Sequence, residues 1–231
     1  MSKKKDIAND AAIIIPVYNE GEVVAGVVKS ALSHFNYVIC VNDGSTDNSA
    51  AEVKKTKAYL VNHPINMGQG AALQTGIEFA RQLPVDYFVT FDADGQHRIE
   101  DVKAMLKELK TDNYDIILGS RFLGSAIGIT DSRRAVFKAA IWFSNLTSGL
   151  NLTDTHNGLR VFNRKVAESM QITCADMTHA SEILEIIARK QYRYKEIPVT
   201  IEYTDYSRRK GQSFINAINI GFDTLLRKAS K

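Results

Sequence analysis

Asp92 and Asp94 stand one residue apart in Tyr87-Phe88-Val89-Thr90-Phe91-Asp92-Ala93-Asp94-Gly95-Gln96-His97, where a short apolar run breaks into acids. At strand spacing the two carboxylates point to one side. Like charges this close repel, so a buried pair requires a cation or a shared proton. Mg²⁺-type ions commonly take one or two carboxylates and complete their shell with water and substrate phosphate oxygens. The stretch therefore reads as a metal–diphosphate site at a strand end. It reads equally as a strand closing in a polar turn, because Asp and Gly are ordinary turn residues.

Other polar groups offer partners for such a site. Asp43 in Asn42-Asp43-Gly44-Ser45-Thr46-Asp47 is placed either to hydrogen-bond a base or ribose edge or to build a capped turn, with Ser45 or Thr46 capping the next helix. Arg121, Arg134 and Arg160 are surface charges or structural ion pairs taken singly; beside a metal site they would converge on a diphosphate, which Arg grips through paired donors. Gly68-Gln69-Gly70 resembles part of a dinucleotide fingerprint, but Leu73 stands where a third small residue belongs, and His63-Pro64 comes before it. The absence of a Gly-rich loop ending in Lys-Ser/Thr excludes a P-loop NTPase. His97, His156 and His179 lack ligand spacing and read as packed or solvated side chains.

The elements that position these groups follow from periodicity. Ala11–Val17 is nearly all apolar, as a strand buried on both faces of a parallel sheet should be, with Pro16 at its end. A helix with Val23, Val24, Val27, Val28, Ala31 and Leu32 on one face follows. Strands over Tyr37–Val41, Ala58–Val61 and Tyr87–Phe91 alternate with helices around Ala50–Val53 and Ala71–Arg81. This alternation predicts an α/β fold with a mostly parallel, twisted sheet flanked by helices. Such sheets bind ligands beyond the carboxyl ends of their strands, where Asp43 and Asp92-Ala93-Asp94 fall. Further on, the pattern predicts a helix at Val102–Leu109, a strand at Asp115–Leu118, a mobile loop at Leu123–Ile129 and a long helix after Asp131. A short strand at Leu159–Phe162, a helix at Ser181–Arg189 and two strands flanking Pro198 come next. Tyr206–Ser213 reads as a basic loop, and 214–231 as an amphipathic helix ending in Arg227-Lys228.

With 231 residues, 45% hydrophobic and 24% charged, the chain has the composition of a soluble globular protein able to bury a real core. A net charge of +3 argues against a dedicated nucleic-acid binder. Cys40 and Cys174 are expected as buried, reduced thiols, which suits a cytoplasmic protein. The basic residues of 1–10 precede no apolar signal core, so this stretch reads as a flexible lead-in able to touch anionic lipid. No apolar run approaches the ~20 residues that span a bilayer, which suggests a soluble or membrane-peripheral protein.

Taken together, Ile13–Glu20, Val41–Asp47, Asn66–Gly70, Phe91–His97 and Gly119-Ser120-Arg121-Phe122 resemble family 2 glycosyltransferases of GT-A fold in residues, order and spacing. Asp154-Thr155, Gly158-Leu159-Arg160 and the later Arg209-Lys210-Gly211-Gln212-Ser213 resemble the branch of dolichyl- and undecaprenyl-phosphate sugar transferases. The resemblance implies a GT-A catalytic domain over 11–213 and a UDP- or GDP-sugar donor. Pro16, Tyr18, Glu20 and Asp43 would surround the nucleoside, with Gly68 and Gly70 also on the donor. Asp92 and Asp94 would be the DxD-type acids, with Gln96 a further ligand to Mg²⁺ or Mn²⁺. Arg121, Arg134 and Arg160 would hold donor or acceptor phosphates, and Arg208 would serve the acceptor. Two departures stand out: Asn42 replaces an acid common in the family, and Arg98-Ile99 stands where Pro is usual.

The expected reaction is an inverting single displacement onto a polyprenyl phosphate at the cytoplasmic membrane face. Asp154 is the one base available if the acceptor is instead a sugar hydroxyl of a lipid-linked oligosaccharide. The 214–231 helix is expected either on the membrane or on the core, and a small membrane-protein partner or a homo-oligomer fits the same pattern.

Overall fold

The computed structural model of the protein describes residues 9–111, 113–175 and 178–210. The expectations for the basic lead-in before residue 9, for Gly211-Gln212-Ser213 and for the helix over 214–231 lie outside the described residues. In chain order the elements are β1 (Ala11–Val17), α1 (Val24–Leu32), β2 (Tyr37–Asp43), α2 (Ser49–Lys54), β3 (Tyr59–His63), α3 (Gln69–Arg81), β4 (Tyr87–Thr90) and α4 (Ile99–Thr111). They continue with β5 (Ile116–Ile127), α5 (Asp131–Ser148), β6 (Arg160–Asn163), α6 (Arg164–Ser169), α7 (His179–Lys190), β7 (Tyr194–Glu202) and α8 (Asp205–Lys210).

Among the described residues the strands form one sheet in the order β3-β2-β1-β4-β6-β5-β7. Every pairing is parallel except those of β6, which runs antiparallel between β4 and β5. The apolar runs are continuous because the central strands are covered on both faces. Ile13, Ile15 and Val17 point to one side, against Val24 and Val28 of α1 and Val102, Met105 and Leu106 of α4. Ala12 and Ile14 point to the other, against Ala72, Leu73 and Ile77 of α3, Val166 of α6 and Ile183 and Ile187 of α7. Pro16 is the penultimate residue of β1, beyond the point where β4 stops pairing at Ile14↔Thr90, so its missing donor does little harm. Both cysteines are buried and free, and burial pushes the Cys40 thiol up to about 12.

Four local expectations need correction. Leu123–Ile129 is not a loop, since β5 runs on to Ile127 and rejoins β7 through Ser125↔Thr200, Ala126↔Ile201 and Ile127↔Glu202 after a register shift. Gly124 permits it: a Cβ there would lie 2.2 Å from the Val199 carbonyl oxygen, so the small residue marks close strand approach rather than mobility. The segments around Pro198 form a single strand, because β7 is at the sheet edge and Pro198 faces solvent between buried Ile197 and Val199. The basic stretch from Tyr206 through Lys210 is helical, as part of α8. Ser45 and Thr46 do not cap α2. They bond to Asn19, while Asp47 Oδ1 accepts the Ser49 N–H at 2.9 Å.

Candidate active site

The strand order reverses between β1 and β4, and the crevice beyond the carboxyl ends at such a switch point is where ligands bind in open α/β sheets. Tyr18 and Glu20 follow β1, Asp43 ends β2, Asp92 and Asp94 follow β4, and Arg121 lies just past the β5–β6 pairing. Because β6 is antiparallel, Arg160 at its start lies level with Thr90 at the end of β4. The structure thus brings most of the expected residues to one edge.

Asp92 is held from several sides. Gln69, the first residue of α3, donates its amide to Oδ1 at 3.2 Å, and His97 Nε2 bonds Oδ2 at 2.9 Å. Gly158 lies so close that a Cβ on it would be 2.2 Å from Oδ2. Burial alone would raise the Asp92 carboxyl. The His97 hydrogen bond, with Arg160 and His179 nearby, holds it below the usual carboxylate range. Asp94 shows the opposite behaviour: burial and the charge of Asp92 push it up to about 6. Its Oδ1 accepts the Gln96 backbone N–H at 3.0 Å, and Gln96 in turn accepts the Glu202 N–H.

Among the described residues no group of three or more His, Cys, Asp or Glu side chains is arranged to cage a metal. The donor set does fit a hard divalent ion that draws most of its ligands from phosphate and water. At Asp94, burial and the Asp92 charge outweigh the opposing effects of His97 and the Gln96 N–H, and a cation would relieve that imbalance.

Arg160 is buried, with Nη1 unpartnered. Burial pulls it below the usual guanidinium range against the opposing charges of Asp92 and Asp154. A buried, unspent guanidinium donor beside two acids marks a place for an anion. Arg121 is already engaged. It donates through Nε and its backbone N–H to Asp154 Oδ2 at 2.6 and 3.0 Å and through Nη1 to the Tyr203 hydroxyl at 2.7 Å, and it stacks over Phe137 of α5. Asp154, the one base on offer for a hydroxyl acceptor, is the partner of Arg121 rather than an open carboxylate. Arg134 is exposed in the first turn of α5, with no bond to the Asp92–Arg160 cluster among the described residues. Arg208 lies on α8, and its side chain is outside the described residues.

Asp43 is buried and accepts N–H groups from Met67 and Gly68 at 2.8 Å each, which fixes the entry to α3. Gly70 packs against the Cys174 carbonyl and donates its N–H to Ala175. Glu20 accepts the Tyr206 hydroxyl at 2.5 Å, which draws α8 over the β1–α1 turn. Sequence reasoning missed His63, whose Nδ1 bonds Asp43 Oδ1 at 2.7 Å, and the part played by His97. The signals were present: His63 ends a strand beside Asp43, and His97 follows Asp92 by five residues. His156 is packed beside Asp154, Arg121 and Arg160; burial and the two arginines push it down to about 4.

Comparison with known proteins bears on the fold and the family. The chain is 29% identical to the UDP-N-acetylglucosamine–dolichyl-phosphate N-acetylglucosaminyltransferase of Methanococcus voltae, over 95% of this chain and 96% of that protein. It is 25% identical to the undecaprenyl-phosphate mannosyltransferase of Micrococcus luteus, over 90% and 92%. The glucosyl-3-phosphoglycerate synthase of Mycobacterium tuberculosis, solved with Mn²⁺ and UDP-glucose, superposes with a TM-score of 0.72 at 14% identity, over 94% of this chain and 77% of that one. The shared fold is GT-A. The model of Glycosyl transferase family 2 matches residues 12–170, most of the chain, and the protein belongs to that family.

Proposed function

We propose that the protein transfers a hexose from a UDP- or GDP-sugar to a polyprenyl phosphate at the cytoplasmic membrane face, with inversion at the anomeric carbon. The observation that carries the choice of acceptor is the closed Arg121–Asp154 pair. A hydroxyl acceptor needs a general base, and the carboxylate the sequence offered for that role is committed to a guanidinium. A phosphate oxygen is already ionised near neutral pH and needs none. The relatives named for dolichyl- and undecaprenyl-phosphate substrates support the same reading.

In this reading the donor diphosphate lies between Asp94 and Arg160. The acceptor oxygen bonds to the anomeric carbon while the carbon–oxygen bond to the diphosphate breaks, and the electron pair leaves on the nucleoside diphosphate. Asp92, Asp94 and Gln96 would hold Mg²⁺ or Mn²⁺, which would supply positive charge to that leaving group. Arg160 supplies a preorganised donor to the same group. Arg121 and Asp154 position the 154–160 segment, and Arg134 and Arg208 serve the lipid phosphate. Pro16, Tyr18, Glu20, Asp43, Gly68 and Gly70 line the nucleoside side. Among the described residues no helix is long and apolar enough to cross a membrane, so the acceptor would be met at the surface.

The test is incubation with UDP- and GDP-hexoses, Mn²⁺ and either undecaprenyl phosphate or a lipid-linked saccharide. Nucleoside diphosphate release and a glycosylated lipid with the phosphate alone is expected. Release only with the lipid-linked saccharide would move the reaction to a hydroxyl acceptor and overturn the reading.

A further inference from the structure

We propose that the hydrogen-bond set around Asp43 selects a uracil-type base over guanine, with His63 as the residue that sets this choice. The inference rests on the nucleotide-sugar reading above and narrows it to uridine diphosphate donors.

A carboxylate offers about four acceptor positions, two per oxygen. Asp43 Oδ1 uses both of its own, one on the Met67 N–H at 2.8 Å and one on His63 Nδ1 at 2.7 Å. Oδ2 takes the Gly68 N–H at 2.8 Å and keeps one position. With Nδ1 donating to the carboxylate, His63 Nε2 accepts from the Thr75 hydroxyl at 3.0 Å, so α3 fixes the ring that saturates Oδ1. The neighbouring amide is committed as well: Asn42 Nδ2 donates to Asn62 Oδ1 at 3.0 Å, and Asn42 Oδ1 accepts the Ser45 N–H. Asp43 can therefore accept one further donor, not two.

The surroundings suit a flat, partly apolar ring. The register Val17↔Asn42 sets Tyr18 alongside Asp43, and Tyr18 is 45% exposed. Met67, whose N–H holds Asp43, is 47% exposed, and Ile65 beside it 68%. Exposed apolar surface on chain segments that adjoin a nearly buried carboxylate would be covered by a stacked base. Uracil presents a single imide N–H between two carbonyls, which matches one open acceptor. Guanine presents two adjacent N–H donors that pair with both oxygens of a carboxylate. Here its second donor would meet a saturated Oδ1 and be left without a partner in a desolvated site.

The test is isothermal titration calorimetry of the full chain with Mn²⁺ and, in turn, UDP, GDP and N3-methyl-UDP. UDP should bind at least tenfold tighter than GDP, and methylating N3 should weaken UDP at least tenfold. GDP binding as tightly as UDP would overturn the inference and leave the nucleotide-sugar reading standing. So would a UDP preference insensitive to N3 methylation, because selection would then lie away from Asp43. Binding of neither diphosphate would overturn the nucleotide-sugar reading itself. His63→Leu opens a second acceptor on Asp43 and should shrink the UDP-to-GDP ratio at least threefold. Thr75→Val, nearly conserved in volume, should shift it the same way. An unchanged ratio in both variants, with thermal unfolding intact, would remove His63 from the account.

Discussion

Arg121 and Asp154 are 33 residues apart in sequence and form a buried ion pair in which the guanidinium and its own backbone N–H both donate to one carboxylate oxygen. Burial opposes the Arg121 charge, but Asp154 and the Tyr203 hydroxyl more than offset it and hold its pKa above the usual value. Removing one partner leaves an uncompensated buried charge, so Asp154→Ala should lose about 3 kcal/mol of unfolding free energy in urea. The double variant Arg121→Met/Asp154→Leu should recover at least half of that. Measured against the single variants Arg121→Met and Asp154→Leu, a double variant whose loss is simply their sum would show that the pair is not coupled.

Asp94→Asn separates the metal site from the scaffold. Burial and the Asp92 charge outweigh the opposing charge of His97 at the native carboxylate, so the amide should leave the metal-free protein as stable as wild type or more so. Turnover should fall at least ~100-fold, the scale of losing a charge-stabilising group at the leaving site. Mn²⁺ should raise the melting temperature of wild type and leave that of Asp94→Asn unmoved. An equal metal-induced rise in both proteins would place the cation elsewhere.

His156 gives the fold an acid-sensitive point. Its pKa is about 4 in the folded chain against 6.5 as the ordinary value. Between those values the unfolded chain binds the extra proton, so the stability present above pH 6.5 is lost as pH falls toward 4. The full difference is up to about 3 kcal/mol. Urea unfolding at pH 7 and pH 4.5 should show His156→Gln losing less stability than wild type over that interval. Equal losses would mean that the imidazole is solvated.

Gly158→Ala probes the seat of Asp92 without touching a charge. The added Cβ would lie 2.2 Å from Oδ2 and must displace the carboxylate or the 154–160 segment. Turnover should drop about 100-fold, in line with an ångström-scale misplacement at a reacting centre. A variant with wild-type kcat would show that Asp92 can move freely, against its bonds to Gln69 and His97.

The central sheet was legible in the sequence because Ala11–Val17, Tyr37–Val41 and Tyr87–Thr90 are apolar on both faces, and burial on both faces is a local signal. Asp43, Asp92 and Asp94 were placed correctly at strand ends for the same reason. Gly124 and Pro198 misled because their usual meaning, loop or break, gives way at a sheet edge where two strands approach closely. The short helix α6, which follows β6 without a break and is capped by Asn163, offered too few turns for periodicity to register. The Arg121–Asp154 and Asp43–His63 contacts were not legible, because nothing local in sequence says which distant charges will be packed together. Arg121 and Arg134 looked equivalent in sequence, yet one is locked inside the site and the other lies on an exposed helix turn.

The reversed direction of β6 sets the dynamics of the site. Asp43, Asp92 and Asp94 stand at or just past the carboxyl ends of β2 and β4, where strand gives way to turn. Arg160 instead begins a strand and is flanked by Thr90 on one side and Leu118 on the other. Its backbone should open only when the middle of the sheet opens, so the amides of Val161 and Phe162 should exchange with solvent as slowly as those of β4 while the 154–158 segment exchanges far sooner. Arg160, with its unpartnered Nη1, is thus mounted in the middle of the sheet, and motion of the surrounding turns would carry ligands to it rather than carry it to them.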